Sequence, residues 1–429
     1  MRAALWLIAL FAVAVAVALL AGNNQAVVTV FWPPHRVDVS FNLMMLFLAG
    51  LFVLVYFALR ALSALFSLPA EAQRWRAQQK ERAMYGGLMD ALAHQLAGRY
   101  IRATKSAQNA LAHEKGLVLL ADQSGHATGH SASRSSQLRS LAHLLVAESA
   151  QSLQNRALRE QHMALALESS AQRNALEVRE GVLFRGARWA LDDRDPTAAL
   201  EWLAQLPQGT ARRTLALRLK LRAARQARKT AQALETARLL AKHRAFSPAA
   251  AESIIRGLAF ELLNDSHDPA QLQSAWFSLD ETERRMPELV VHAASQLVAL
   301  HGDSAMARAW ILPIWERMVQ PRSDISDGLR VKLINALETG FESLDAAWLA
   351  RIETAQKSWP RDANLQYLAG MACLSRQLWG KAKQLLSGAA MGLRDPGLHR
   401  KAWLALALLA EQRDDAESAA DAYRHAAQQ

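Results

Sequence analysis

The stretch LAGMACLSRQLWGKAKQLL, Leu368–Leu386, and its continuation AWLALALLAEQRDDAESAADAY, Ala402–Tyr423, decide how the chain is read. Apolar and small residues recur in both at three- and four-residue steps, the period of one face of an α-helix. Gly370, Trp379, Ala382, Leu386 and Ala389 mark one unit, and Trp403, Leu406, Ala407, Ala410, Ala419, Tyr423 and Ala426 mark the next. Ala382, Leu386 and Ala389 match Ala419, Tyr423 and Ala426 at an offset of 37 residues. Small residues where two helices meet let their backbones approach, and the larger residue four positions later fills the groove.

One such hairpin cannot bury its face alone, so hairpins stack. The pattern resembles the tetratricopeptide repeat (TPR), with a period of about 34 residues and a three-residue insertion around Asp395-Pro396. Trp359-Pro360 supplies a proline between units. Weaker echoes lie upstream: Gly98, Tyr100, Ala103 and Ala110, then Gly302, Ala307 and Ile311 after Pro287. Segments 175–206 and 211–243 keep the apolar spacing with few signature residues. Residues 121–136 (ADQSGHATGHSASRSS) read as an exposed Gly/Ser/His loop, with a smaller break at Ser323 to Gly328. The expected fold is all-α: two transmembrane helices, then a TPR-like α-solenoid of antiparallel hairpins. The expected parts are an anchor at 1–66, an exit helix and first hairpin at 67–120, the loop at 121–136, and repeats at 137–429.

Composition agrees with helix. Of 429 residues, 51% are hydrophobic, only 20 are glycine and 12 proline, and alanine and leucine carry the apolar content. A single cysteine, Cys373, excludes a disulfide framework and a cysteine metal cage; it reads as core packing. Lys+Arg exceeds Asp+Glu by 50 − 39 = 11, a balance that suits nucleic acid or an anionic membrane. Nucleic acid would require a groove-reading or stacking module, and Trp75, Tyr85 and Tyr100 stand isolated from one another.

The membrane is the better address. Ala3 to Ala21 and Phe41 to Leu59 are uncharged runs of nineteen residues, each about 28 Å long as helix. Two spans of about 3–21 and 41–62 would leave an outer loop at 22–40. A cleaved signal peptide ending near Leu20-Ala21-Gly22 is the rival for the first run. The loop between the runs carries one basic residue, Arg36, whereas Arg60, Arg74, Arg76, Lys80 and Arg82 follow the second. Positive charge stays inside, so the amino terminus and everything after about residue 66 are expected in the cytoplasm. Pro69 reads as a helix start, with the four basic residues after it facing anionic headgroups.

No phosphate-binding loop, dinucleotide fingerprint, H-E-x-x-H or G-x-S-x-G is present. No catalytic residue and no metal ligand is assigned, and the cofactor-binding residues stay unknown. His126 and His130 fall in the expected loop, where four-residue spacing makes no common face. His94, His113 and His143 read as surface or groove residues of helices rather than axial ligands, and His35 stands beside Trp32-Pro33-Pro34 in the outer loop.

Three segments carry a resemblance over the whole length: YFALRALSALFSLP (Tyr56 to Pro69), RWRAQQKERA (Arg74 to Ala83) and LAGRYIRATKSAQNAL (Leu96 to Leu111), followed by the carboxyl-terminal repeats. In that order they resemble the HemY family of bacterial inner-membrane proteins, not the flavin-dependent oxidase that shares the name. The resemblance implies a role linked to haem or porphyrin biosynthesis, with no catalytic residues. The expectation is a non-enzymatic inner-membrane scaffold whose groove holds protein partners, haem-synthesis enzymes among them. The alternatives are a haem- or porphyrin-binding carrier and a scaffold for an unrelated envelope complex.

Overall fold

The computed structural model describes residues 2–22, 25–124, 129–172 and 175–428, which divide into two compact units, residues 1–182 and 183–429. The first opens with α1 (Arg2–Gly22), an antiparallel hairpin of β1 (Val27–Trp32) and β2 (His35–Ser40), and α2 (Phe41–Leu96). α3 (Tyr100–Ser124), α4 (Gly129–Ser152) and α5 (Arg156–Ser169) follow, and α6 (Leu176–Asp192) contains the boundary between the units.

The second unit is built from α7 (Pro196–Ala204), α8 (Gln208–Ala211), α9 (Thr214–Gln226), α10 (Thr230–Lys242), α11 (Pro248–Asn264) and α12 (Pro269–Ser278). It continues through α13 (Glu281–Arg284), α14 (Pro287–Ala299), α15 (Ser304–Met318), α16 (Asp327–Thr339) and α17 (Ala346–Ser358). α18 (Ala363–Ser375), α19 (Trp379–Gly392), α20 (Pro396–Glu411) and α21 (Ala416–Ala427) complete it.

Helix starts are written locally. Asp195, Ser247, Asp268, Asp345, Asp362, Asp395 and Asp415 each accept a hydrogen bond from a backbone N–H of the first turn. A proline that needs no partner stands at the start of α7, α11, α12 and α20.

The ends of eight helices share one device. Gly98, Gln154, Arg194, Arg228, Arg244, His301, Gln377 and Asp414 all adopt left-handed backbone, with φ between 53° and 71°. In each case the next residue's N–H reaches back five positions, as Lys229 N to Ala224 O at 2.9 Å and Leu378 N to Cys373 O at 2.9 Å. Each turn is a helix stop that satisfies an orphan carbonyl and reverses the chain.

In the second unit α14 packs on α16, α16 on α18, and α18 on α20, so alternate helices form one continuous row. The intervening helices meet through Trp276–Trp310 (centroids 4.8 Å apart) and Trp315–Trp348 (6.0 Å). A single apolar core runs from Leu217 to Ala422, and Cys373 is fully buried in it.

Three expectations change. The outer loop is mostly a β-hairpin, so the fold is helical but not all-α. Pro69 does not start a helix but lies within α2, which absorbs the one backbone N–H that proline removes. Helix also occupies much of 121–136, with α3 running to Ser124 and α4 beginning at Gly129; residues 125–128, including His126, lie outside the described residues. Gly and Ser lower helix propensity by at most about 1 kcal/mol per residue, which the flanking helices outweigh.

Among the described residues one helical stretch is long and apolar enough to cross a membrane, Phe41–Ser63 of α2. α1 is helical, yet its described apolar stretch is the shorter Ile8–Leu19. The expectation of two spans is therefore met by one.

Candidate interaction surfaces

The packing residues of the terminal repeats come together. Ala382, Leu386, Ala389 and Ala407 are fully buried, and Ala419 and Ala426 nearly so. A Cβ added to Gly370 on α18 would lie 2.7 Å from Leu386 Cγ and 3.3 Å from Leu386 N on α19. Only glycine fits at that crossing. Trp403 is half-buried, stacked on His425 (4.4 Å, 23°), with its indole N–H donating to His399 Nε2 at 3.2 Å. Tyr423 departs from its counterpart Leu386: it is 39% exposed and donates its hydroxyl to Glu411. Leu386 has α18 on one side and α20 on the other, whereas α21 packs chiefly on α20.

The row α14–α16–α18–α20 presents a polar face. His292 on α14 meets Asn264 Oδ1 at 2.7 Å. Burial, then the charge of nearby Lys332, lowers the His292 pKa. Lys401 on α20 donates to Asn335 Oδ1 (2.8 Å) and Glu338 Oε2 (3.0 Å) on α16, bridging over α18. Amide, carboxylate and ammonium groups arranged along one row suit the backbone and side chains of a protein chain. Among the described residues no group of three or more His, Cys, Asp or Glu is placed to hold a metal ion.

The basic residues after the apolar stretch lie on one helix. Arg60 is exposed and donates to Tyr56 Oη at 3.3 Å. At 1.5 Å per residue, Arg74 stands about 16 Å and Arg82 about 28 Å beyond Ser63 along α2. Exposed charges that far apart are screened over roughly 8–10 Å. Arg76 and Arg82 are exposed, and Lys80 is half-buried with Nζ donating to Gly116 O on α3 at 3.4 Å. Of the five, Arg60 alone falls within Phe41–Ser63, and the other four follow it on the same helix. The side chain of Arg74 is not among the described ones.

Two polar clusters in the first unit carry no sequence signal. Glu114 on α3, 2% exposed, accepts from Arg139 on α4 (Oε1···Nη2 2.5 Å, Oε2···Nε 3.1 Å) and from Ser135. One turn along α4, His143 Nδ1 meets His162 Nδ1 of α5 at 3.0 Å. Burial, then His162, Arg139 and Lys115, push the His143 pKa down to about 4, with Glu114 opposing; burial also lowers His162. Both imidazoles are therefore neutral near pH 7, one donating to the other.

Residues 27–129 match the family model described as HemY protein N-terminus. Comparison with curated proteins finds no match. Among solved structures, a chain of the Naa15/Naa10 complex bound to HypK-THB is 12% identical, with a TM-score of 0.25 over 77% of this chain and 57% of that one. The TPR domain of P58(IPK) is 13% identical, with a TM-score of 0.22 over 77% of this chain and 99% of that one. Scores this low carry no argument, and the repeat reading rests on the helix rows above.

Proposed function

We propose that this chain, which belongs to the HemY family through its amino-terminal region, is a non-enzymatic membrane-anchored scaffold. The observation that carries it is the polar face of the row α14–α16–α18–α20 on a chain whose Phe41–Ser63 helix is apolar and exposed all round. Leu46, Phe47, Phe52 and Leu54 are between 65% and 73% exposed, which supports lipid as the covering surface. With α1 as a second crossing, the chain enters and leaves the membrane, and the charge bias puts the repeats in the cytoplasm. Tethering raises the local concentration of a bound partner into roughly the millimolar range, so weak binding suffices. The family resemblance supports haem or porphyrin synthesis as the setting, with enzymes of that pathway as partners.

A photo-crosslinking residue at Lys332 or Asn335 in native membranes is expected to trap a discrete protein partner, and one at the exposed Arg213, which precedes α9, is not. Equal or absent trapping at the row refutes the scaffold face. Deleting the gene should alter porphyrin pools; unchanged pools remove the haem link and leave the scaffold standing. A reporter fused after the last residue should be active in the cytoplasm, and activity across the membrane overturns the topology.

A further inference from the structure

The β-hairpin has two chemically different faces. Paired residues share a face, so Val28/Val39, Val30/Val37 and Trp32/His35 lie on one side and Thr29/Asp38 and Phe31/Arg36 on the other. The second side is tied to itself: Thr29 Oγ1 donates to Asp38 Oδ1 at 2.6 Å, Arg36 Nε to the same oxygen at 3.3 Å, and the guanidinium of Arg36 stands over Phe31 at 5.6 Å. The first side is four valines, a tryptophan and His35, with Val30 43%, Val37 51% and Trp32 75% exposed, while on the second side the exposed Val27 and Phe31 stand among Thr29, Arg36, Asp38 and Ser40. Two strands alone are marginal in water, so the first face needs a surface to cover it.

The attachment of the hairpin says which surface. Ser40 is both the last residue of β2 and the N-cap of α2, its Oγ accepting from Leu43 N at 3.4 Å. Phe41 N also donates to Ala26 O at 2.9 Å, so the base of the hairpin is hydrogen-bonded to the first residue of the apolar helix. No linker separates them. Six residues per strand reach about 20 Å, more than the roughly 5–8 Å of headgroup layer on each side of the bilayer that Phe41–Ser63 enters, so the ribbon stays at that depth only by lying flat. Tryptophan is enriched at that depth, where an apolar body meets a wet boundary.

We propose that the hairpin lies flat on the lipid surface, its Val28, Val30, Trp32, Val37 and Val39 face sunk to the acyl–headgroup boundary and its Thr29–Arg36–Asp38 face in water. It works as an interfacial foot that fixes the depth and tilt of α2. This rests on the proposed crossing by Phe41–Ser63, and the experiment separates the two.

The test uses the full chain with Cys373→Ala, its only cysteine removed, and single Val30→Cys, Val37→Cys, Thr29→Cys, Arg36→Cys or Leu54→Cys variants carrying a polarity-sensitive dye. Each is reconstituted at low density in phosphatidylethanolamine/phosphatidylglycerol vesicles and accepted only if its far-UV spectrum matches that of the unlabelled chain. Labels at 30 and 37 should shift to the blue, be quenched by shallow doxyl lipids and resist aqueous iodide, while labels at 29 and 36 should do the reverse. Equal iodide quenching of all four hairpin labels refutes the proposal. So does shielding of 30 and 37 from both quenchers, which would mean that protein covers the face. The label at 54 reports the crossing: lipid quenching there with none at 30 and 37 sinks the foot alone, and its absence at 54 sinks the crossing as well.

Discussion

Gly370→Ala tests the repeat packing most directly, because two effects of the same methyl group oppose each other. Alanine is a better helix former by about 0.8–1.0 kcal/mol. The new Cβ, however, would stand 2.7 Å from Leu386 Cγ and 2.9 Å from its Cδ2, where carbons pack best at about 3.5–4.0 Å. Leu386 is fully buried and its backbone N is also only 3.3 Å away, so rotating the side chain does not relieve the overlap. The helices α18 and α19 must part, an overpacking cost of about 1–3 kcal/mol. Gly257→Ala on α11 supplies the reference, since its Cβ meets nothing within 4 Å and keeps only the propensity gain. The two variants should therefore differ by about 1–3 kcal/mol, with Gly370→Ala the less stable. For a domain of this size each kcal/mol moves the melting point by about 2–4 °C, readable by circular dichroism of the full chain. In a Leu386→Ala background most of the penalty should go, because Cγ and Cδ2 are gone and only the backbone N at 3.3 Å remains close. Equal melting of Gly370→Ala and Gly257→Ala would refute the close crossing.

Three further outcomes follow from the turns and the buried polar groups. Gly98→Ala should lose about 1 kcal/mol, since φ of +71° is left-handed. Gln377→Gly and Arg228→Gly should each gain up to about 1 kcal/mol in urea unfolding, and a loss in both would show that the turns carry no strain. The lowered pKa values of His143 and His162 mean that the unfolded chain takes up protons first as pH falls from about 6.5. Their contribution is thus fully present above that pH and is lost on the way down to about 4. Between about pH 7 and 4.5 the wild type should lose more stability than His143→Gln/His162→Gln; parallel curves would refute the linkage. Arg308, 3% exposed, donates to the carbonyls of Gly340 and Ser343 at 2.9 Å each. Arg308→Leu strands both acceptors and should cost about 2 kcal/mol, seen as faster amide exchange from Gly340 to Leu344.

What the sequence revealed depended on which feature set each repeat. Where helices cross tightly, the contact admits only small residues, so Gly370, Ala382, Ala389 and Ala407 are visible in the letters. In the middle repeats the register is set by a backbone conformation. Arg194, Arg228, Arg244 and His301 all occupy the same left-handed turn, and nothing in their chemistry says so. The amino-terminal hairpin did leave a signal: VVTVFW and HRVDVS are β-branched, six-residue runs on either side of Pro33-Pro34. It was overshadowed by the apolar runs that flank it. The pairing of His143 with His162 joins different helices and has no spacing to read.

The position of α2 gives the excess positive charge a more limited role than composition suggests. The apolar stretch Phe41–Ser63 and the residues that pack against α3, such as Gly87, where an added Cβ would stand 3.2 Å from Ser106 O and 3.4 Å from Ala110 Cβ, belong to one uninterrupted helix. A helix transmits position along its axis in a way that a loop does not. On the proposed crossing, Arg74 lies about 16 Å along α2 from Ser63, so Arg74, Arg76 and Arg82 reach headgroups only where α2 bends, and Pro69 within α2 is the place for such a bend. Without a bend those charges bias the direction of insertion, and depth is left to groups at the opposite end of the proposed span, where Trp32 and the valines of the hairpin stand.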